Sequence, residues 1–123
     1  MKQPLRILVV EDEPIVAMCL EMGLKQAGYQ ICQMVTSGED AIRSAAQDAP
    51  DLILMDIRLA GDLDGIEAAQ EIRATADIPL IFMTGYSEPT SAARAEQLQP
   101  LAYFIKPVSI RALQIVVNTA FPS

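Results

Sequence analysis

The chain has no histidine and no tryptophan, few aromatic residues (5%) and only two cysteines in 123 residues. Without histidine, serine–histidine catalysis, histidine metal ligation and phosphohistidine chemistry on this chain itself are excluded. Cys19 and Cys32 stand in apolar settings with neither a CxxC nor a Cys/His spacing. They read as buried free thiols rather than as a disulfide or a zinc site. No apolar run approaches the roughly 18 residues that span a membrane. Met1-Lys2-Gln3-Pro4 leads straight into a β-like run and then acids, which is not a secretory signal. A cytoplasmic chain with no membrane partner is the expectation. Basic residues are also scarce, 9 against 16 acids for a net charge of −7, with no basic cluster. Direct nucleic-acid binding, which needs a cationic stripe facing phosphates, is disfavoured.

What is present is an apolar half: 51% of the residues, enough to bury the core of one ordinary domain. The central stretch is Asp51-Leu52-Ile53-Leu54-Met55-Asp56-Ile57-Arg58-Leu59. A four-residue apolar run between a Pro50-Asp51 turn signal and an acid suits a strand buried on both faces, although periodicity alone also allows a buried helix turn. As a strand, it leaves Asp56 at its carboxyl end, where open α/β sheets place their ligands. The plainer alternative for Asp56 is a solvated acid in a loop.

Leu5 to Val10 reads as the first strand, stopping at Glu11-Asp12-Glu13-Pro14, whose proline suits the first turn of a helix. Ile15 to Ala27 is helical by pattern, with Val16, Cys19, Leu20, Gly23, Leu24 and Ala27 on one face and Gly28 as its stop. Ile31 to Val35 is a weaker second strand. Ser37 caps a helix to about Asp48, with Ala41, Ile42 and Ala45 inward and Asp40 partly mimicking a capping box. After the central strand come a loop at Ala60–Gly65, a helix at Ile66–Ala74 and a strand at Pro79–Met83. An alanine-rich helix (about Thr90–Leu98), a strand (Leu101–Ile105) and a helix (Ser109–Ala120) complete the chain. Five strands alternating with helices predict one α/β domain, a five-stranded parallel sheet, doubly wound, with helices on both faces.

Each strand end on this count deposits polar groups at one edge: Glu11 and Asp12, then Asp56, Thr84 and Lys106. In a doubly wound order they converge on one crevice. Three carboxylates there repel, and a hard divalent cation, magnesium best, resolves the conflict. Lys106 and Thr84 supply a cation and a hydroxyl suited to phosphoryl oxygens, and Asp56 is placed to be a carboxylate nucleophile that forms an aspartyl phosphate.

The motifs Val-Val-Glu11-Asp12-Glu13-Pro14, Leu-Met-Asp56-Ile-Arg-Leu, Phe-Met-Thr84-Gly85 and Tyr103-Phe-Ile-Lys106-Pro107, in this order and spacing, resemble the receiver domain of bacterial two-component response regulators. The resemblance covers essentially all of residues 1–123 and implies a flavodoxin-like (βα)5 fold acting as a signalling receiver domain rather than a conventional enzyme. It implies Asp56 as phosphoacceptor, magnesium held by Asp12, Asp56, Glu11 through water and the Arg58 main-chain carbonyl, and phosphoryl contacts from Thr84 and Lys106. It further implies a cis Lys106-Pro107 bond and a switch formed by Thr84 and the Tyr103 rotamer; half-buried packing is the plainer role for Tyr103. The chain departs from the family pattern at Glu11, where Asp is commoner, and at Ala60, where proline is usual. The loop before Asp64-Gly65 is one residue longer, and Gly85 leaves room beside the phosphoryl group. Arg58 and Tyr86 sit where the family tunes hydrolysis of the acyl phosphate and are expected to shield it.

The implied partners are a sensor histidine kinase or histidine phosphotransfer protein and a downstream protein or effector domain, with a phosphorylation-dependent homodimer allowed. Ile15, Met18 and Met22 form a second apolar stripe on the first helix, either scattered exposed residues or the donor's docking surface. The weakly anchored fourth helix suits a two-state output face shared with the fifth strand and last helix. No effector segment follows Ser123, so a stand-alone receiver or an excised one is expected. A flavodoxin-type nucleotide binder would not carry Glu-Asp-Glu in its first phosphate loop, and a P-loop GTPase needs the missing GxxxxGK[ST]. An aspartyl-phosphate phosphatase would want an acid where Arg58 stands. A degenerate receiver that only binds usually lacks one of the five polar groups present here.

Overall fold

The computed structural model describes residues 4–122. Met1 to Gln3 of the leader reading and the terminal Ser123 lie outside the described residues. Five strands and five helices alternate: β1 (Arg6–Val10), α1 (Pro14–Gln26), β2 (Gln30–Val35), α2 (Gly38–Asp48), β3 (Leu52–Asp56), α3 (Gly65–Arg73), β4 (Leu80–Thr84), α4 (Pro89–Glu96), β5 (Ala102–Ile105) and α5 (Ile110–Ala120). The strands form one parallel sheet in the order β2-β1-β3-β4-β5. This is the doubly wound architecture that the alternation predicts. Among the described residues no helix is long and apolar enough to cross a membrane.

Alternation along the strands sorts the core into two layers. Leu8, Val10, Ile53, Met55, Leu80 and Phe82 pack against Ala41 and Ala45 of α2, Ile66, Ala69 and Ile72 of α3, and Ala95 of α4. Their sequence neighbours Ile7, Val9, Leu52, Leu54, Ile81 and Met83 face the other way, onto Leu20 and Leu24 of α1 and Leu113 and Val117 of α5. Both faces of β3 and β4 are therefore buried, which is why those strands read as continuous apolar runs.

One expectation fails. Cys19 is exposed and Cys32 only half-buried, so neither is a fully buried thiol. Helix α1 is apolar on more than one side, and Leu20 and Leu24 at i, i+4 take the inward face, which turns Cys19 outward. Cys32 lies on β2, one of the two edge strands, where only part of its surface is covered.

Candidate functional site

The order β2-β1-β3 puts the switch point between β1 and β3, where Val10 is in register with Met55. The residues that follow these partners, Glu11 and Asp56, thus meet at one edge, each 2% exposed. Thr84 ends β4, 1% exposed, beside the neighbouring β5 that Lys106 follows, and the main chains are joined there: the Lys106 N–H donates to the Thr84 carbonyl at 2.8 Å. The Lys106-Pro107 peptide is cis.

Lys106 reaches under the sheet edge, its ammonium 2.8 Å from Asp56 Oδ2, 2.6 Å from Glu11 Oε1 and 3.8 Å from Glu13 Oε1. Only the Asp56 contact has hydrogen-bond geometry. Glu11 Oε1 accepts no hydrogen bond despite its proximity to the cation. Glu11 Oε2 is fixed by the Glu13 N–H at 3.1 Å and Asp56 Oδ1 by the Arg58 N–H at 3.2 Å. Asp12 Oδ2 accepts from the Ala60 N–H at 3.1 Å, a bond that a proline at position 60 could not make.

One ammonium among these carboxylates leaves excess negative charge. Burial pushes the Asp56 carboxyl up to about 7; the Glu11 carboxylate adds to the rise, and the hydrogen bond from Lys106 opposes it. For Lys106 burial favours the neutral amine, but its contacts with Asp56 and Glu11 outweigh this and raise its pKa. The cation is therefore held, and Asp56 is the group whose proton is in play.

Glu11, Asp12 and Asp56 each bring a carboxylate oxygen within 4.8 Å of the others. All-oxygen donors and a cluster that stays net negative, one ammonium against three carboxylates, fit a hard divalent cation.

Gly65 shapes the loop over this edge. A Cβ there would lie 2.0 Å from the Asp56 carbonyl oxygen, so only glycine lets α3 start this close to the end of β3. Beside it Asp64 and Glu67 form a reciprocal capping box, Glu67 N–H to Asp64 Oδ1 at 2.8 Å and Asp64 N–H to Glu67 Oε1 at 2.9 Å.

The remaining predicted groups stand further out. The Thr84 hydroxyl donates to the Tyr86 carbonyl at 2.9 Å, turned into its own loop rather than onto Asp56. Tyr103 is half-buried against the core, its hydroxyl 3.4 Å from Ser87 Oγ. Arg58 is exposed, its guanidinium paired with Glu88 and 5.4 Å from the Tyr86 ring centroid. Ile15, Met18 and Met22 are all exposed on α1. Ile15 also lines a groove of about 530 Å³ that runs from Val16, Cys19 and Leu20 across to Gly85, Pro107 and Val108.

Residues 7–118 match the response regulator receiver domain model. The chain belongs to the response-regulator receiver family. It is 36% identical over 117 residues to the transcriptional regulatory protein PdtaR of Mycobacterium tuberculosis, covering 95% of this chain and 57% of that one. With the phyllosphere-induced regulator PhyR of Methylorubrum extorquens it shares 31% over 115 residues, covering 93% and 42%. The receiver thus spans about half the length of these curated relatives. Among solved structures, the receiver domain of a modulated diguanylate cyclase from Desulfovibrio desulfuricans G20 superposes with a TM-score of 0.90 at 34% identity, covering 96% of this chain and 94% of that one. The receiver domain of a Pseudomonas aeruginosa PAO1 sensor histidine kinase, which holds a magnesium ion in its active-site cleft, gives 0.86 at 33% identity, covering 98% and 100%.

Sequence reasoning missed Gly65 as a steric requirement, and it missed Glu88 and Glu13. The capping box was readable as Asp-x-x-Glu directly before an apolar helix. The partnership of Glu88 with Arg58, thirty residues apart, has no local signal.

Proposed function

We propose that Asp56 is the phosphoacceptor of a two-component phosphorelay in the cytoplasm. It takes a phosphoryl group from the phosphohistidine of a sensor kinase or phosphotransfer protein. An Asp56 oxygen attacks phosphorus while the donor's P–N bond breaks, and the electron pair leaves with the protonated donor imidazole as a neutral ring. Asp56 must be ionised to attack. Lys106, held charged, stabilises that ionised form and then the phosphoryl oxygens. Thr84, after rotation of its hydroxyl out of the Tyr86 loop, donates to a second phosphoryl oxygen. Asp12, Asp56, Glu11 through water and the Arg58 main-chain carbonyl would hold magnesium, which offsets the charge that gathers on the carboxylates and the phosphoryl group. Water attacking phosphorus later frees Asp56 as inorganic phosphate departs, a slow hydrolysis that resets the receiver. Rotation of Tyr103 would follow movement of Thr84 and reshape the α4-β5-α5 face for a downstream protein, an effector domain or a second copy.

The observation that carries this reading is the Lys106 ammonium between buried Asp56 and Glu11 at the sheet's switch point. Intact mass after incubation with acetyl phosphate and magnesium tests it. Wild type gains one phosphoryl group, and Asp56→Asn or omission of magnesium abolishes the gain. A wild type that stays unmodified while folded overturns the assignment and leaves a binding module. The exposed Ile15, Met18 and Met22, the first of which lines the groove, support docking of the donor on α1. On that reading, Met18→Glu slows transfer from a protein donor at least tenfold yet leaves acetyl phosphate uptake unchanged. Equal slowing with both donors, or none, removes α1 from the docking surface.

A further inference from the structure

Helix α4 has only one buried residue, Ala95. Its N-cap, Glu88, does not use its side chain to cap the helix. That carboxylate is instead bound by the guanidinium of Arg58, in the loop after β3. The same guanidinium lies over the ring of Tyr86, in the loop after β4. Arg58 is thus a tie between the two loops that border Asp56 and the start of α4. Its own main chain is fixed at the nucleophile, since its N–H donates to Asp56 Oδ1 at 3.2 Å. Any charge added to Asp56 arrives beside an arginine whose fork can turn about an anchored Cα.

We propose that Glu88 and a phosphoryl group on Asp56 compete for the Arg58 guanidinium, so that phosphorylation unties the start of α4 from the loop carrying the nucleophile. The inference rests on the phosphoacceptor reading above and adds to it the residue through which α4 is released. The competition is unequal. A phosphoryl group brings roughly two negative charges and three acceptor oxygens, and an arginine fork matches such oxygens bidentately. The Arg58–Glu88 pair is side chain to side chain with both partners largely exposed (61% and 45%), where water and salt weaken it. Once released, Glu88 sits with its carboxylate at the amino end of α4, where the helix dipole favours negative charge. Both ends of the exchange are therefore satisfied, and Glu88 acts as a positioning residue, away from the reacting atoms.

The test uses Glu88→Gln, which removes the charge and keeps the length, with Arg58→Ala as its control. Before phosphorylation, both variants are expected to shift the α4 amide resonances (90–96) in one common direction. Acetyl phosphate and magnesium move the wild-type amides the same way. Glu88→Gln, with Arg58 free to cover the phosphoryl group, should hold it about two- to fivefold longer by intact mass, the range commanded by an exposed ion pair. This gain should vanish in the Arg58→Ala background. If wild type takes up a phosphoryl group but Glu88→Gln matches it in lifetime and in α4 resonances, the competition is overturned and the phosphoacceptor reading stands. If wild type takes up none, both fall together.

Discussion

The two sides of the sheet edge are built differently. On one side β3 and β4, buried along their whole length, carry Asp56 and Thr84 as their last residues. On the other, β5 is only partly buried, with Ile105 half-exposed, and α4 buries a single alanine. Polar straps hold that side. Arg94 donates to Asp64 Oδ2 at 3.1 Å, Arg73 to the Leu98 carbonyl at 2.8 Å, and Arg58 reaches Glu88. Apolar packing has no sharp alternative geometry short of unfolding, whereas exposed ion pairs exchange partners at little cost. The proposed function needs both: acceptor atoms that do not move and a face that does.

The sharpest way to break this contrast is to truncate one apolar residue on each side. Phe82 is fully buried at the middle of β4, so Phe82→Ala should cost about 3–5 kcal/mol of unfolding free energy. Ile105→Ala, on the half-exposed edge, should cost about 0.5–1 kcal/mol. Urea denaturation of the two variants compares them directly. Losses of equal size would mean that the β5 edge is as deeply packed as the centre.

A second effect, somewhat smaller, belongs to Asp56. Burial holds its folded pKa near 7, against 3.8 for an unstrained carboxyl. Between those values the folded chain keeps a proton that the unfolded chain has released, so stability without magnesium falls as pH rises from about 4 to about 7. Asp56→Asn removes the titrating group. It should match wild type near pH 4 and exceed it at pH 8 by on the order of 3 kcal/mol. On the proposed reading magnesium would bind the ionised carboxylate, so at pH 8 it should raise wild type far more than the variant. A wild-type-minus-variant difference that stays flat between pH 4 and 8 would show that Asp56 is not strained in the fold.

How much of this was legible beforehand follows the same division. Leu52–Met55 and Leu80–Met83 are unbroken apolar runs because both strand faces are covered, and their abrupt polar ends mark Asp56 and Thr84. Glu11, Asp12 and Lys106 were legible for the same reason: a strand stops where its apolar run stops. Cys19 was misjudged because α1 is apolar on several sides, and only contact with α5, where Gly23 admits Ile110, selects the inward face. The arginine straps were invisible. Arg73 and Leu98, Arg94 and Asp64, Arg58 and Glu88 are joined across 25 to 30 residues, and an exposed charge carries no periodicity that names its partner. The orientation of the Thr84 hydroxyl was equally unreadable, since a rotamer is chosen by its surroundings.

The smallest expected effect is also the most discriminating. Arg94→Ala removes the strap between the middle of α4 and the α3 cap, but it leaves Asp64 Oδ1 still accepting from the Glu67 N–H, so the capping box survives. Global stability should drop by no more than about 0.5 kcal/mol, as for other partly exposed ion pairs. Protection of α4 amides against hydrogen exchange should nonetheless fall severalfold, because α4 opens by local release rather than with the whole domain. Amides of β3 and β4 should keep their wild-type protection. Phe82→Ala is the opposite case, lowering protection across the sheet and α4 together. If Arg94→Ala also lowers protection in β3 and β4, then α4 is part of the cooperative core. Its straps would then be ordinary stabilising contacts, and the mobile face would have to lie elsewhere.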